Sequence, residues 1–185
     1  VDNIDINASS VLGNAGNWLL DPFSIIIASS GASGTTWANP FTAAATSTIL
    51  NTSINTALSS ANVTISTGSS SSDATTITQN ADATITNSSG SARTLTIIAG
   101  GDVTLNGGVT GTTQALNLTI TSYGGNLLGT GNLTLTGGAL SLTNGGTGTT
   151  AFSGIISGTA STITKAGTGR LTLSGANTYT GATKI

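Results

Sequence analysis

The 185-residue chain contains no cysteine, no histidine, no methionine and no glutamate. The absence of cysteine excludes disulfide bonds and thiolate metal sites. The absence of histidine and glutamate removes the groups most often used in catalytic triads, metal ligation and paired acid–base catalysis. Only six aspartates and four basic residues remain for chemistry. The sequence therefore predicts a protein that is not an enzyme, with no catalytic residue, no metal site and no bound cofactor.

Charge is almost as scarce, at 5% of residues, and the formal net charge is only −2. A basic surface that would attract nucleic acid or an anionic membrane is therefore missing. No apolar run approaches the roughly 18 residues of a transmembrane helix. We expect no nucleic-acid partner and no direct membrane insertion. The chain starts at Val1 without a recognisable signal peptide, which indicates that it is processed or cut from something longer.

Threonine makes up about a fifth of the chain and recurs between aliphatic residues. Threonine is stiff at its first side-chain torsion and suits a pleated strand. Between residues 93 and 142, alternation with a period of two places Leu95 with Ile97, and Leu118 with Ile120, on one face. Gly-Gly and Asn-Gly pairs follow these short runs and mark turns. The pattern predicts an all-β fold.

Strand cores recur about every seven to ten residues, which indicates an internal repeat. Three such strands would form a coil of roughly 20–25 residues, the unit of a right-handed parallel β-helix. A β-sandwich would give a similar strand spacing, but the short, near-identical strands and the lack of clear hairpin pairs favour the β-helix. We expect Asn106, Asn126 and Asn144 at corners, where side-chain amides of successive coils stack.

One segment departs from this pattern. Leu50, Ile54 and Leu58 are spaced by four, which predicts a short helix near residues 52–59. We therefore divide one continuous solenoid into two parts. Residues 1–60 form amino-terminal coils with a Trp-Leu-Leu-Asp-Pro motif, a loop and the helix, and residues 61–185 form regular β-helix coils.

Two stretches resemble known families. Trp18-Leu-Leu-Asp-Pro, with Ile54-Asn-Thr-Ala-Leu-Ser-Ser-Ala-Asn-Val-Thr-Ile-Ser further on, resembles exoproteins of the filamentous haemagglutinin type. Lys165-Ala-Gly-Thr-Gly-Arg-Leu-Thr-Leu-Ser-Gly-Ala-Asn-Thr-Tyr-Thr-Gly-Ala-Thr is similar to the autotransporter-associated β-strand repeat of passenger domains. Both resemblances imply a right-handed β-helix that is secreted by a Gram-negative bacterium and stays at its outer surface.

Thr-x-Thr pairs suggest a surface array of hydroxyl and methyl groups. The candidate residues are Thr84, Thr86, Thr94, Thr96, Thr119, Thr121, Thr134 and Thr136. Such an array would suit ice or a glycan. The plainer interpretation, which we favour, is that threonine is simply a good solvent-facing strand residue in a chain that avoids charge.

The function that these patterns favour is a non-enzymatic, extracellular structural or adhesive segment, and a ligand-binding module is the alternative. A β-helix exposes an unpaired coil at each end, and the low net charge opposes stacking only weakly. We therefore expect head-to-tail self-association into filaments, or contact with neighbouring coils of a longer parent chain. The candidate assembly strands contain Ile4 and Ile6 at one end and Tyr179 and Ile185 at the other. A host-surface glycan or protein is a further candidate partner.

Overall fold

A computed structural model describes residues 17–20, 24–31, 46–68, 70–72 and 74–185. These residues form eighteen short strands and one helix. The elements in chain order are β1 (Asn17–Leu20), β2 (Ser24–Ala28), β3 (Thr46–Leu50), α1 (Asn51–Ser60), β4 (Asn62–Ser66), β5 (Ile77–Gln79), β6 (Ile85–Asn87), β7 (Arg93–Ala99), β8 (Val103–Leu105), β9 (Val109–Gly111), β10 (Leu116–Ser122), β11 (Leu127–Gly129), β12 (Leu133–Thr134), β13 (Ala139–Asn144), β14 (Thr150–Phe152), β15 (Ile156–Ser157), β16 (Thr162–Ala166), β17 (Leu171–Leu173) and β18 (Thr183–Lys184).

The strands form three parallel sheets that the chain visits in turn. Sheet 1 has the order β1-β4-β7-β10-β13-β16-β18, sheet 2 has β3-β2-β5-β8-β11-β14-β17, and sheet 3 has β6-β9-β12-β15. Each complete coil therefore contributes one strand to each sheet. The result is a β-solenoid of about six turns. This confirms the predicted parallel β-helix with about three short strands per coil and contradicts a β-sandwich.

The register of sheet 1 fixes the length of a coil. Leu95 lies opposite Leu118, Leu118 opposite Leu140, and Leu140 opposite Ile163. The successive differences are 23, 22 and 23 residues, within the predicted range. All four side chains point into the core and are at most 1% exposed. Each such side chain contributes roughly 1.5–3 kcal/mol by burial, before conformational entropy is subtracted.

The core is one continuous column of inward-facing residues, and its few irregularities compensate one another. Gly129 lies opposite Phe152 on the neighbouring strand. A Cβ atom built on Gly129 would overlap the ring of Phe152, which is 2% exposed. The aromatic ring thus occupies the volume that the glycine leaves, because cores pack to a fixed density.

Glycines also stack at the corners, where consecutive coils come into backbone contact. Between sheets 2 and 3, a Cβ atom on Gly131 would lie well under 3.0 Å from the carbonyl oxygen of Gly107. Gly154 stands in the same relation to Gly131, and Gly175 to Gly154. A second column, between sheets 1 and 2, contains Gly125, Gly148 and Gly169. Only a residue without a side chain fits these positions, so the corners explain much of the glycine content.

Helix α1 covers one edge of the solenoid. It spans Asn51–Ser60, which confirms the predicted helix, and it buries Ile54, Ala57 and Leu58. It packs against β6, the strand at the edge of sheet 3, and so occupies the place of a third strand in the first coil. Among the described residues, no helix is long and apolar enough to cross a membrane. The division of the chain at residues 60 and 61 stays a prediction.

Candidate functional site

A single column of hydroxyl side chains runs along the outer face of sheet 1. Outward positions alternate with the buried core positions in every strand of this sheet. The pairing register places five hydroxyl residues in line over five consecutive coils: Thr64, Thr96, Thr119, Ser141 and Thr164. Neighbouring strands are about 4.8 Å apart, so the column is close to 20 Å long.

The hydroxyl column is mostly one residue wide. Thr121 lies opposite Ile98 on one side and Thr143 on the other, and Thr94 lies opposite Asn117. A second file of hydroxyls therefore exists only beside Thr119 and Ser141. Four of the eight predicted array residues, Thr94, Thr96, Thr119 and Thr121, belong to this face.

The other four predicted array residues lie in or beside sheet 3. Thr86 and Thr134 belong to a shorter column there: Thr86, Thr110, Thr134 and Ser157. The hydroxyls of Thr134 and Ser157 are 3.1 Å apart and hydrogen bonded. Thr84 lies just before β6. Thr136 lies in a turn with a φ of 42°, and its hydroxyl donates to the carbonyl oxygen of Gly111. The eight threonines therefore divide between two faces.

Sequence reasoning missed several members of these columns. Thr64, Thr110, Ser141, Ser157 and Thr164 were not among the candidates, yet they stand in register with residues that were. The signal that would have found them is recurrence at the coil length of 22 or 23 residues, rather than the Thr-x-Thr pair within one strand.

Asparagine side chains join successive coils at the ends of strands. In four cases Oδ1 of an asparagine accepts a hydrogen bond of 2.9 Å from a backbone N–H one coil further on. The pairs are Asn62 with Thr94, Asn117 with Ala139, Asn126 with Thr149, and Asn132 with Ile155. These bonds continue the backbone ladder past the point where the strands end.

The three asparagines expected at corners make such contacts, but not with one another. Asn126 also donates to Oδ1 of Asp102, Asn106 accepts from the hydroxyl of Thr130, and Asn144 donates to the carbonyl oxygen of Gly125. Each therefore bonds to a neighbouring coil at a different place. They are corner residues, as predicted, but they do not form one amide ladder.

The described carboxylates have structural partners. Oδ1 of Asp102 accepts from the backbone N–H of Asn126 at 2.6 Å, and Asp82 accepts from the hydroxyl of Ser29. Among the residues that the structure describes, no three acidic, histidine or cysteine side chains group as a metal site would require. The arrangement of these residues serves to hold corners in place.

Helix α1 is fixed to the solenoid by side chains at both of its ends. Asn55 accepts a hydrogen bond from the backbone N–H of Thr86 at 2.8 Å and donates to the carbonyl oxygen of Thr84, as a neighbouring strand would. Asn51 donates to the same carbonyl at 2.7 Å. At the other end, Nε of Arg93 donates to the carbonyl oxygen of Leu58, where a positive charge favours the helix dipole.

The last coil lacks a neighbour on one side among the described residues. Leu171, Leu173 and Tyr179 pack against the core but are only partly buried. Tyr179 lies in an irregular segment and bonds through its hydroxyl to Thr183, while Ile185 is 91% exposed. The other two candidate assembly residues, Ile4 and Ile6, lie outside the described residues.

Comparison with known proteins agrees with the repeat at this end. The passenger-associated-transport-repeat family matches residues 163–185. These residues run from β16 through β17 to β18, and Gly169, Gly175 and Gly181 within them each meet the backbone of the preceding coil. The match thus corresponds to about one coil. No curated protein and no solved structure was found to match the chain. Near its C-terminus, the chain carries an autotransporter passenger repeat.

Proposed function

We propose that this chain is a non-enzymatic, extracellular structural and adhesive segment of a Gram-negative surface or secreted protein. The observation that carries the proposal is the correspondence between the matched passenger repeat and one coil of the solenoid. The preceding coils have nearly the same length and the same corner glycines, so they extend the same rod. With a rise of about 4.8 Å per coil, six turns give a rod almost 30 Å long.

Secreted or surface exposure of the parent protein is the first part of this proposal to test. Antibodies raised against the folded chain are expected to label intact Gram-negative cells that make the parent protein. Brief treatment of those cells with an external protease is expected to remove the label. Labelling only after the cells are permeabilised would overturn the extracellular assignment.

Filament formation is the second part of the proposal. Parallel ladders end at strands whose outer edge can accept a further strand, which is a recurrent mode of association between chains. Negative-stain electron microscopy over a range of protein concentrations would test this directly. Uniform fibres that lengthen with concentration support assembly, and isolated short rods at every concentration refute it.

The hydroxyl column of sheet 1 favours a second candidate, contact with an extended glycan. A single line of hydroxyls matches the hydrogen-bonding groups along a sugar chain, whereas an ice plane requires a regular array in two dimensions. Glycan-array binding by the native chain, reduced in a Thr119→Val variant, would support this function. Thermal hysteresis in the native chain would instead support ice. No signal in either assay refutes the ligand-binding candidate and leaves the structural one.

A further inference from the structure

The C-terminal coil exposes apolar side chains that earlier coils bury. Leu171 lies opposite Thr150, and Leu173 lies opposite Phe152. Thr150 and Phe152 are at most 2% exposed, whereas both leucines are only partly buried. The difference arises because β17 is the last strand of sheet 2 and has a neighbour on one side only. This end therefore offers both apolar surface and free backbone groups.

The two ends of the described solenoid leave the same two sheets available. At the amino-terminal end, sheets 1 and 2 finish at β1 and β3, while α1 covers the edge of β6 in sheet 3. At the other end, sheets 1 and 2 finish at β18 and β17. Sheet 3 there finishes at β15, where Ile156 bonds to the irregular segment at 177–179. A partner that continues sheets 1 and 2, but not sheet 3, would fit both ends.

Charge is segregated along the chain. Residues 1–102 contain all six aspartates and one basic residue, Arg93, so their net charge is −5. Residues 103–185 contain Lys165, Arg170 and Lys184 and no acid, so their net charge is +3. Arg170 and Lys184 are exposed, and Nζ of the buried Lys165 donates to the carbonyl oxygens of Ala166 and Gly167. All three positive charges thus belong to the last coil.

We infer that the C-terminal coil docks on the amino-terminal end of a second copy of this chain, in an orientation selected by the opposite charges of the two halves. This inference rests on the filament proposed above and specifies how it forms. Sheet 1 continues from β18 to β1 of the next copy, and sheet 2 continues from β17 to β3. Contact between two C-terminal ends brings like charges together and is disfavoured. The attraction extends over about 30 Å at 10 mM salt but only about 8 Å at 150 mM, so assembly weakens as salt is added.

A pair of variants with the same net charge separates this inference from a general effect of charge. The test variant carries Arg170→Gln and Lys184→Gln, which removes two positive charges from the last coil. The control variant carries Gln114→Glu and Thr147→Glu, which changes the net charge equally at exposed positions in the middle of the rod. Sedimentation velocity at 10 mM and at 500 mM salt measures the concentration at which each protein assembles.

We expect the native chain and the control to assemble at 10 mM salt. We expect the test variant to need at least about tenfold more protein, and 500 mM salt to abolish this difference. Assembly of the test variant at the native concentration would overturn the inference but leave the proposed filament intact. A native chain that stays monomeric in both salts would overturn the filament itself, and a further coil of a longer chain would then be the occupant of this end. Circular dichroism of both variants confirms that each one folds.

Discussion

A methyl group added at a glycine corner tests how closely successive coils pack. The Cβ of a Gly131→Ala variant would lie well under 3.0 Å from the carbonyl oxygen of Gly107, a separation that real side chains do not adopt. The obstacle is backbone, which cannot rotate away as a flexible side chain can. The strands β8 and β11, which flank this corner, must therefore separate or shift. Overpacking of this kind costs about 1–3 kcal/mol, and more where ladder hydrogen bonds are lost.

Thermal unfolding followed by circular dichroism measures this cost. For a chain of this size, each kcal/mol lowers the melting temperature by about 2–4 °C, so Gly131→Ala is expected to lower it by roughly 5–12 °C. Gly90→Ala is the matched control, because no atom lies within 4 Å of the position that its Cβ would occupy. The control is expected to be neutral or slightly stabilising, since alanine reduces the entropy of the unfolded chain. Equal melting temperatures for the two variants would refute the close packing of the corners.

Three further substitutions test the end of the solenoid and its buried charge. Asn55→Ala is expected to cost about 1–3 kcal/mol in urea unfolding and to speed hydrogen exchange at the Thr86 amide, because that N–H loses its acceptor; unchanged exchange would contradict this role. Arg93→Gln is expected to cost about 1–2 kcal/mol by removing the charged donor to the last turn of α1, and to lower its helical signal; the same stability as the native chain would contradict it. Lys165→Met is expected to change stability by less than about 1 kcal/mol, because the exposed backbone around Ala166 can be hydrated in its place; a loss of several kcal/mol in the melting experiment would show that the ammonium is essential.

The sequence was informative wherever one local pattern sets the structure. Period-two alternation identified the inward pairs such as Leu118 and Ile120, both fully buried, because a strand must turn alternate side chains to the core. The spacing of Ile54 and Leu58 located α1 for the same reason, since both residues lie on one helical face. Parallel stacking could be predicted because short repeated strands without hairpins leave few other ways to bury their aliphatic face.

Properties that depend on register could not be read from these patterns. Thr86 and Thr96 belong to similar Thr-x-Thr units, but which of three sheets each joins depends on the number of residues in the intervening corner. The same is true of Asn106 and Asn126, whose partners lie a whole coil away. β3 was missed for another reason: it adds to the outer edge of β2, so the order of the chain differs from the order of the sheet.

Stacking in register also explains why the outer surface is rich in hydroxyls and poor in charge. A residue type that recurs at the coil length forms a column with about 4.8 Å between members. Two like charges at that distance repel by nearly 1 kcal/mol even in water, so a column of five would carry about 3–4 kcal/mol of repulsion between nearest neighbours. Threonine and serine avoid this cost and keep a polar surface, and the column from Thr64 to Thr164 contains only these two residue types. A solenoid built from near-identical coils can therefore place its few charges only where they do not repeat, and in this chain the acids precede residue 103 and three of the four basic residues lie in the last coil.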